Sequence, residues 1–342
     1  MTGEPVWRPA VLATATGDGR VRCDLCPHAC VLADGEIGEC RVRRNSGGRL
    51  ETATFTTTVA HLDAVERKPF FHVRPGSQVL TAAGPGCSFR CNYCVNHRLS
   101  QYGRPGGSSD FAGDPAQPST LVSQAADAGA AIGLSYAEPS LAPELTLALA
   151  GLAAPRGVPV LWKTNGFLTA AAIDLVAPVL TAVNVDVKAA TDAAHRRLTG
   201  APLAPVLDAI ERFRAAGVWV EVCTPLIPGV SDAPAEARAI AANLAAIDPA
   251  VPWHLVRFTP DFRMRRPDPT PPAVLARAAA DGREAGLTFV YVERALGDQG
   301  RATYCPACGV VLVDRTLWAS RENHLVDGRC PGCGLAIPGR WA

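Results

Sequence analysis

Between residues 79 and 293 short apolar runs rich in Val, Leu and Ile alternate with longer Ala-rich stretches of helical periodicity. This alternation constrains the fold more than any other feature. Strands separated by segments long enough to form a returning helix pair in parallel, with helices covering the sheet. The pattern predicts strands near 79–83, 131–136, 158–164, 182–188, 218–224, 253–258 and 287–292, and helices near 119–128, 142–154, 169–177, 203–216, 233–247 and 272–285. Gly129, Gly217 and Gly286 follow three of the helices, where a left-handed C-cap is expected. Six or seven βα units are too few for a closed eight-fold barrel, so an open, partial barrel is expected, with its functional face at the carboxyl ends of the strands.

At 342 residues and 48% hydrophobic content the chain can bury one large core. One catalytic domain over 71–300 is expected, with a cysteine-rich extension over 1–70 and a small cysteine-bearing unit over 301–342. The Gly/Pro/Ser-rich stretch 103–119 reads as a mobile loop. Lys and Arg number 33 against 32 Asp and Glu, a formal charge of +1, so no global field draws the chain to nucleic acid or anionic lipid. The amino terminus has no basic region followed by an apolar run, and no apolar stretch reaches bilayer length, so a soluble cytoplasmic protein is expected.

Eleven of the twelve cysteines fall into three groups at metal-ligand spacings, leaving Cys223 alone. Cys87, Cys91 and Cys94 form a CxxxCxxC directly after the first predicted strand. Three local thiolates with no nearby fourth suit a [4Fe-4S] cubane that keeps one iron open, and such an iron can chelate the amino and carboxylate groups of S-adenosylmethionine (SAM). A zinc knuckle or buried free thiols are the alternative. Cys305-Pro-Ala-Cys308 and Cys330-Pro-Gly-Cys333 have the spacing of a four-cysteine ribbon for zinc, which is favoured, or for a single rubredoxin-like iron. Cys23, Cys26, Cys30 and Cys40 suit structural zinc or an auxiliary iron–sulfur cluster, with His28 as a spare ligand. Cys223 reads as a small core hydrophobe, with a substrate-facing role as the alternative.

Several further motifs accompany these groups. They are Glu66-Arg-Lys-Pro69, His72, Pro75-Gly-Ser77, Tyr136-Ala-Glu-Pro139, Thr164-Asn-Gly166, Asn184-Val-Asp-Val-Lys188, Pro225-Leu-Ile-Pro-Gly229 and Arg257-Phe-Thr-Pro260. Together with the cysteines they make the chain resemble, nearly end to end, the radical SAM enzymes. More narrowly it looks like the radical SAM enzymes of the AmmeMemoRadiSam system, relatives of the pyruvate formate-lyase and other glycyl-radical-enzyme activases.

The resemblance implies an α/β fold, a partial (β/α)6 TIM-like barrel, with a [4Fe-4S] cluster on Cys87, Cys91 and Cys94 and cofactor contacts from Tyr93, Glu138, Asn165, Lys163, Asp186 and Lys188. Glu138 stands where the family's Gly-Gly-Glu-like motif meets the SAM amino group, though Tyr136 and Ala137 replace the glycines. Lysine occurs only three times, as Lys68, Lys163 and Lys188, although Arg is abundant. Lys188, matching the activases' Asp-x-Lys, is the candidate for the SAM carboxylate, with Asp186 organising it. Where Lys163 stands, the activases have an Asp that helps hold a monovalent cation beside SAM. The expectation here is that the Lys163 ammonium supplies that charge itself and pairs with Asp186 or the cofactor carboxylate.

The implied function is reductive cleavage of SAM to a 5'-deoxyadenosyl radical that modifies an unknown small-molecule or protein substrate. An electron donor such as flavodoxin or ferredoxin is required, and Memo-type and AMMECR-type proteins are candidate partners. Activation of a glycyl radical enzyme is the alternative within enzymes; a non-enzymatic, metal-stapled binding protein is the alternative outside them.

Overall fold

A computed structural model describes residues 5–110 and 113–342. Met1, Thr2, Gly3 and Glu4 of the amino terminus, and Phe111 and Ala112 of the expected loop, lie outside the described residues. The centre is an eight-stranded sheet. Its first strand, β1 (Val59–Ala64), runs antiparallel to β2 (Gln78–Ala83) at one edge. Parallel pairing then continues through β3 (Ala131–Leu134), β4 (Val160–Thr164), β5 (Ala182–Asp186), β6 (Trp219–Leu226), β7 (Trp253–Arg257) and β8 (Val290–Val292).

Each of the seven expected strands lies in this sheet, in sequence order. Between them run α1 (Pro118–Asp127), α2 (Pro143–Ala153), α3 (Ala170–Val176), α4 (Asp192–Thr199), α5 (Ala204–Ala215), α6 (Pro234–Ile247) and α7 (Pro272–Glu284). The parallel strands read as continuous apolar runs because helices leave little of either face to water. Trp162 and Trp253 are fully buried, and each indole N–H finds a threonine hydroxyl, Thr146 at 3.2 Å and Thr224 at 2.8 Å. Gly217 and Gly286 end α5 and α7 at φ of 80° and 103°, donating to Arg214 and Arg283.

Within the main sheet and the helices between its strands, two elements escaped the sequence pattern. Helix α4 has few apolar positions and holds itself with the Thr191 N-cap on Ala194 N–H and the Gly200 C-cap. Strand β1 alternates half-buried and exposed residues, as an edge strand does, and joins the chain before residue 70 to the main sheet.

The last forty residues add a three-stranded antiparallel unit, β9 (Thr303–Tyr304), β10 (Val311–Arg315) and β11 (Ser320–Asn323). It shares a core with the sheet: Leu312, Val313 and Ile337 pack with Phe71, Phe289 and Tyr291. A buried polar chain reinforces this seam. His72 Nδ1 donates to the Pro338 carbonyl at 2.7 Å, which leaves Nε2 to accept from the Tyr291 hydroxyl at 2.7 Å. Glu221, fully buried, accepts from Phe71 N–H, His72 N–H and Trp219 Nε1 and pairs with His254 at 2.6 Å. These groups fill the sheet's amino-terminal side. The carboxyl ends of the strands are left to line a cleft.

Candidate active site

The loop that follows β2 is shaped by two glycines. A Cβ at Gly84 would stand 2.6 Å from the Thr56 carbonyl oxygen, and one at Gly86, where φ is 106°, would meet Val42 at 2.8 Å. The backbone therefore passes close to the amino-terminal extension before presenting Cys87, Cys91 and Cys94 to a cleft of about 400 Å³. Phe89 N–H points at Cys87 Sγ from 3.3 Å, and Ser100 Oγ lies 3.1 Å from Cys94 Sγ. Arg104 clamps the loop by donating to the carbonyls of Phe89, Cys87 and Glu39 at 2.5, 2.7 and 2.5 Å. The start of the Gly/Pro/Ser-rich stretch is thus a staple across the cysteine loop. His28 hydrogen-bonds the Ser88 carbonyl at 2.8 Å and stands edge-on to Phe167, engaged with this loop.

Burial, then Glu138, pushes the Cys87 thiol well above its ordinary range, and burial pushes Cys91 up to about 12 against the pull of Lys188. Such thiols stay protonated until iron displaces the proton, as metal-thiolate sites require. Three thiols on one loop, open on their far side to the cleft, fit a cluster with one free iron.

The facing wall is charged. Asp186 ends β5, and Lys163 and Lys188 donate to its two carboxylate oxygens, Lys188 from 2.8 Å; Lys163 also reaches Asn184 Oδ1 at 2.9 Å. Burial alone would raise Asp186, yet the two ammonium groups hold it at about 2. Burial opposes charge on both lysines as well, and Asp186 reverses that, raising each. Tyr93 lines the same cleft, its hydroxyl buried without a hydrogen-bond partner among the described residues.

Glu138 is buried and fully engaged. Oε1 accepts from Ser140 N–H at 3.0 Å and Thr164 Oγ at 2.5 Å, and Oε2 from Asn165 N–H at 2.9 Å. It caps the turn Pro139–Leu141 and ties it to the end of β4, so the capping role and the place in the cleft coexist. Asn165 turns its Nδ2 to Ser88 Oγ at 2.9 Å, within 3.7 Å of Cys87 Sγ. Although tyrosine replaces glycine, Tyr136 takes the left-handed region at φ 66°. A bulky side chain there is an outlier held by its surroundings. Lys68, paired to Asp63 at 3.1 Å, donates to the Tyr136 hydroxyl at 2.6 Å and lies over its ring. Cys223, expected in the core, is buried but lines the cleft, opposite Asp186 in the β5–β6 register.

A family model, the radical SAM superfamily, matches residues 82–239. An uncharacterized protein of Methanocaldococcus jannaschii is 30% identical over 335 residues, covering 96% of this chain and 98% of its own. The chain belongs to the radical SAM superfamily. It is a SAM-dependent enzyme, and membership implies a [4Fe-4S] cluster and SAM. Two activating enzymes are also similar to this radical SAM protein over part of its length. The isethionate sulfite-lyase activating enzyme of Nitratidesulfovibrio vulgaris is 33% identical over 134 residues, 38% of this chain and 44% of that one. The benzylsuccinate synthase activating enzyme of Thauera aromatica is 31% identical over 119 residues, 34% and 36%.

Two further cysteine groups differ in geometry. In the carboxyl-terminal unit the sulfurs of Cys305, Cys308, Cys330 and Cys333 all lie within 4.8 Å of one another. Cys305 and Cys333 are 3.6 Å apart, close to the separation of about 3.8 Å that tetrahedral Zn–S bonds impose. Each pair sits on a tight turn closed at Gly309 or Gly334, whose φ values are 75° and 76°. Cys23, Cys26, Cys30 and Cys40 instead surround a small cavity of about 10 Å³ with Arg43, whose Nη1 is 3.7 Å from Cys23 Sγ. Among the described residues, only the carboxyl-terminal set draws three or more ligand atoms within 4.8 Å. No described helix is long and apolar enough to cross a membrane.

Proposed function

We propose that the chain uses Cys87, Cys91 and Cys94 to hold the cluster, and the facing wall to hold SAM, for reductive cleavage to a 5'-deoxyadenosyl radical that modifies a substrate in the same cleft. One observation carries this reading: the three thiols and the Lys163–Asp186–Lys188 triad line one cavity. When bound, the cluster supplies one electron to the sulfonium of SAM. The protein's own residues bind and orient. Lys188, its charge secured by Asp186, offers an ammonium to the SAM carboxylate. Glu138 fixes the loop after β3 against Thr164 and Asn165, and Tyr93 closes the cleft beside Lys188. The buried walls exclude water from a reactive radical.

In the same reading the open sheet is a partial (β/α)6 barrel, and the chain groups with the radical enzymes of the AmmeMemoRadiSam system, acting in the cytoplasm with Memo-type or AMMECR-type partners and a flavodoxin- or ferredoxin-like donor. The carboxyl-terminal set holds zinc; Cys23, Cys26, Cys30 and Cys40 hold structural zinc or an auxiliary cluster. Similarity to two activating enzymes favours glycyl-radical activation as the second reading. Anaerobic reconstitution with iron and sulfide, reduction with dithionite and assay of 5'-deoxyadenosine test the proposal. Product is expected from the wild type and absent after Cys87→Ala, Cys91→Ala or Cys94→Ala; undiminished product in all three rejects it.

A further inference from the structure

The cleft is more basic than the chain as a whole. Five cationic side chains, Arg67, Lys163, Lys188, Arg257 and Arg294, line it against three acidic ones, Glu138, Asp186 and Glu293. The two lysines share Asp186, and Glu138 is occupied by Ser140, Thr164 and Asn165. The arginines are another matter. Arg257 ends β7 and spends only its Nε, on the Thr270 carbonyl at 2.9 Å, so its terminal amino groups are without a partner among the described residues. Arg294 follows β8 and makes no hydrogen bond or ion pair with another described residue; its guanidinium lies 5.2 Å from the Trp318 ring. Arg67 shares Asp63 with Lys68, so one carboxylate answers two cations, and its guanidinium lies 4.5 Å from the same ring.

Trp318 sits at the tip of the β10–β11 hairpin, on the turn closed by Thr316 N–H to the Ala319 carbonyl at 2.8 Å. The carboxyl-terminal unit therefore reaches the cleft through one indole that packs on two of its arginines. Cation–π contact orients a guanidinium without neutralising it, leaving its N–H fork available. Beside Arg294, Glu293 lines the cleft with a buried Oε1 that has no hydrogen-bond partner. Arg257 and Arg294, whose terminal amino groups make no hydrogen bond or ion pair among the described residues, and Arg67, which shares its carboxylate with Lys68, can meet an oxyanion through paired, charge-assisted hydrogen bonds.

We propose that the substrate is a small molecule bearing an anionic group, a carboxylate or a phosphate, held at the cleft mouth by Arg67, Arg257 and Arg294, with Trp318 positioning Arg67 and Arg294. This deepens the reading of the cleft as a SAM-dependent active site and rests on it. The group would anchor one end of the substrate at the strand ends while its remainder extends toward the cysteine loop.

The test is equilibrium binding to the reconstituted full-length enzyme, followed by calorimetry and by tryptophan fluorescence, with inorganic phosphate and succinate as separate probes. Saturable binding of at least one probe is expected, and which one binds distinguishes phosphate from carboxylate recognition. Arg294→Gln and Arg257→Gln should each weaken it about tenfold, the value of a charge-assisted hydrogen bond. Arg294→Lys should lose less, Trp318→Ala should weaken binding with both arginines still present, and Arg196→Gln, on the outer face of α4, should bind as wild type does. Absence of saturable binding by either probe, or binding unchanged in Arg257→Gln and Arg294→Gln, overturns the proposal. Wild-type 5'-deoxyadenosine formation is measured separately, so failure of the anion site is distinguishable from failure of the radical reading.

Discussion

Lys163 places its ammonium against Asp186, the residue whose other carboxylate oxygen receives Lys188. A carboxylate shared by two ammonium groups leaves the wall opposite the cysteines with a fixed positive charge that no dissolved ion has to provide. SAM cleavage by the wild type is therefore expected to be unaffected when sodium and potassium are replaced by tetramethylammonium at constant ionic strength. Lys163→Asp puts two carboxylates side by side, and its activity should fall about tenfold in tetramethylammonium and recover with a small monovalent cation. A wild type that itself needs a small cation would show that Lys163 has no such role.

The carboxyl-terminal unit is bound to the sheet by a shared apolar core, so the zinc proposed for its four cysteines should stabilise more than the unit itself. Cys308 and Cys333 are exposed, and their replacement by serine removes ligands with little loss of packing. Metal analysis of the Cys308→Ser/Cys333→Ser chain should show loss of zinc with the cluster absorbance retained. Its thermal midpoint should fall by several degrees, since about 2–4 °C corresponds to 1 kcal/mol in chains of 150–250 residues. An unchanged zinc content would contradict this assignment.

His72 is fully buried, with its Nδ1 proton on the Pro338 carbonyl, and burial lowers its affinity for a second proton to about 4. The unfolded state then binds the proton first, so stability contributed by neutral His72 is complete above about pH 6.5 and is lost as pH falls toward 4. The difference amounts to about 3 kcal/mol at 1.36 kcal/mol per unit. Denaturant unfolding of wild type and His72→Gln between these limits checks the sign: the wild type should lose stability on acidification more steeply than the variant. Parallel slopes would remove His72 from the account.

Parallel strands covered by helices announce themselves because both faces are apolar, and so β2 through β8 were legible from runs such as Val218–Trp219–Val220 and Val290–Tyr291–Val292. Cysteine spacing picked out the three thiols that line the cleft and the four carboxyl-terminal sulfurs that gather, since a short ligand separation leaves a mark on the chain. Charge pairing across strands leaves none. That Lys163 would pair with Asp186 was expected from the resemblance to the activases and not from any spacing, since the contact arises only when β4 and β5 lie side by side. Tyr136 shows the opposite limit. Tyrosine in place of the family's glycine gave no sign of the left-handed backbone found there, where Lys68, 68 residues away, holds the hydroxyl. The arginines around Trp318 could not be found from spacing, because the hairpin that unites Arg67 with Arg294 comes after both in the chain.

The central claim is that one iron of the cluster is left open for SAM. Electron paramagnetic resonance of the dithionite-reduced, reconstituted protein tests it directly, because a ligand on the free iron alters the signal of the whole cluster. Addition of SAM is expected to shift the spectrum of the wild type; Lys188→Ala should need more SAM for the same shift. A wild-type spectrum that stays unchanged at saturating SAM would contradict the account.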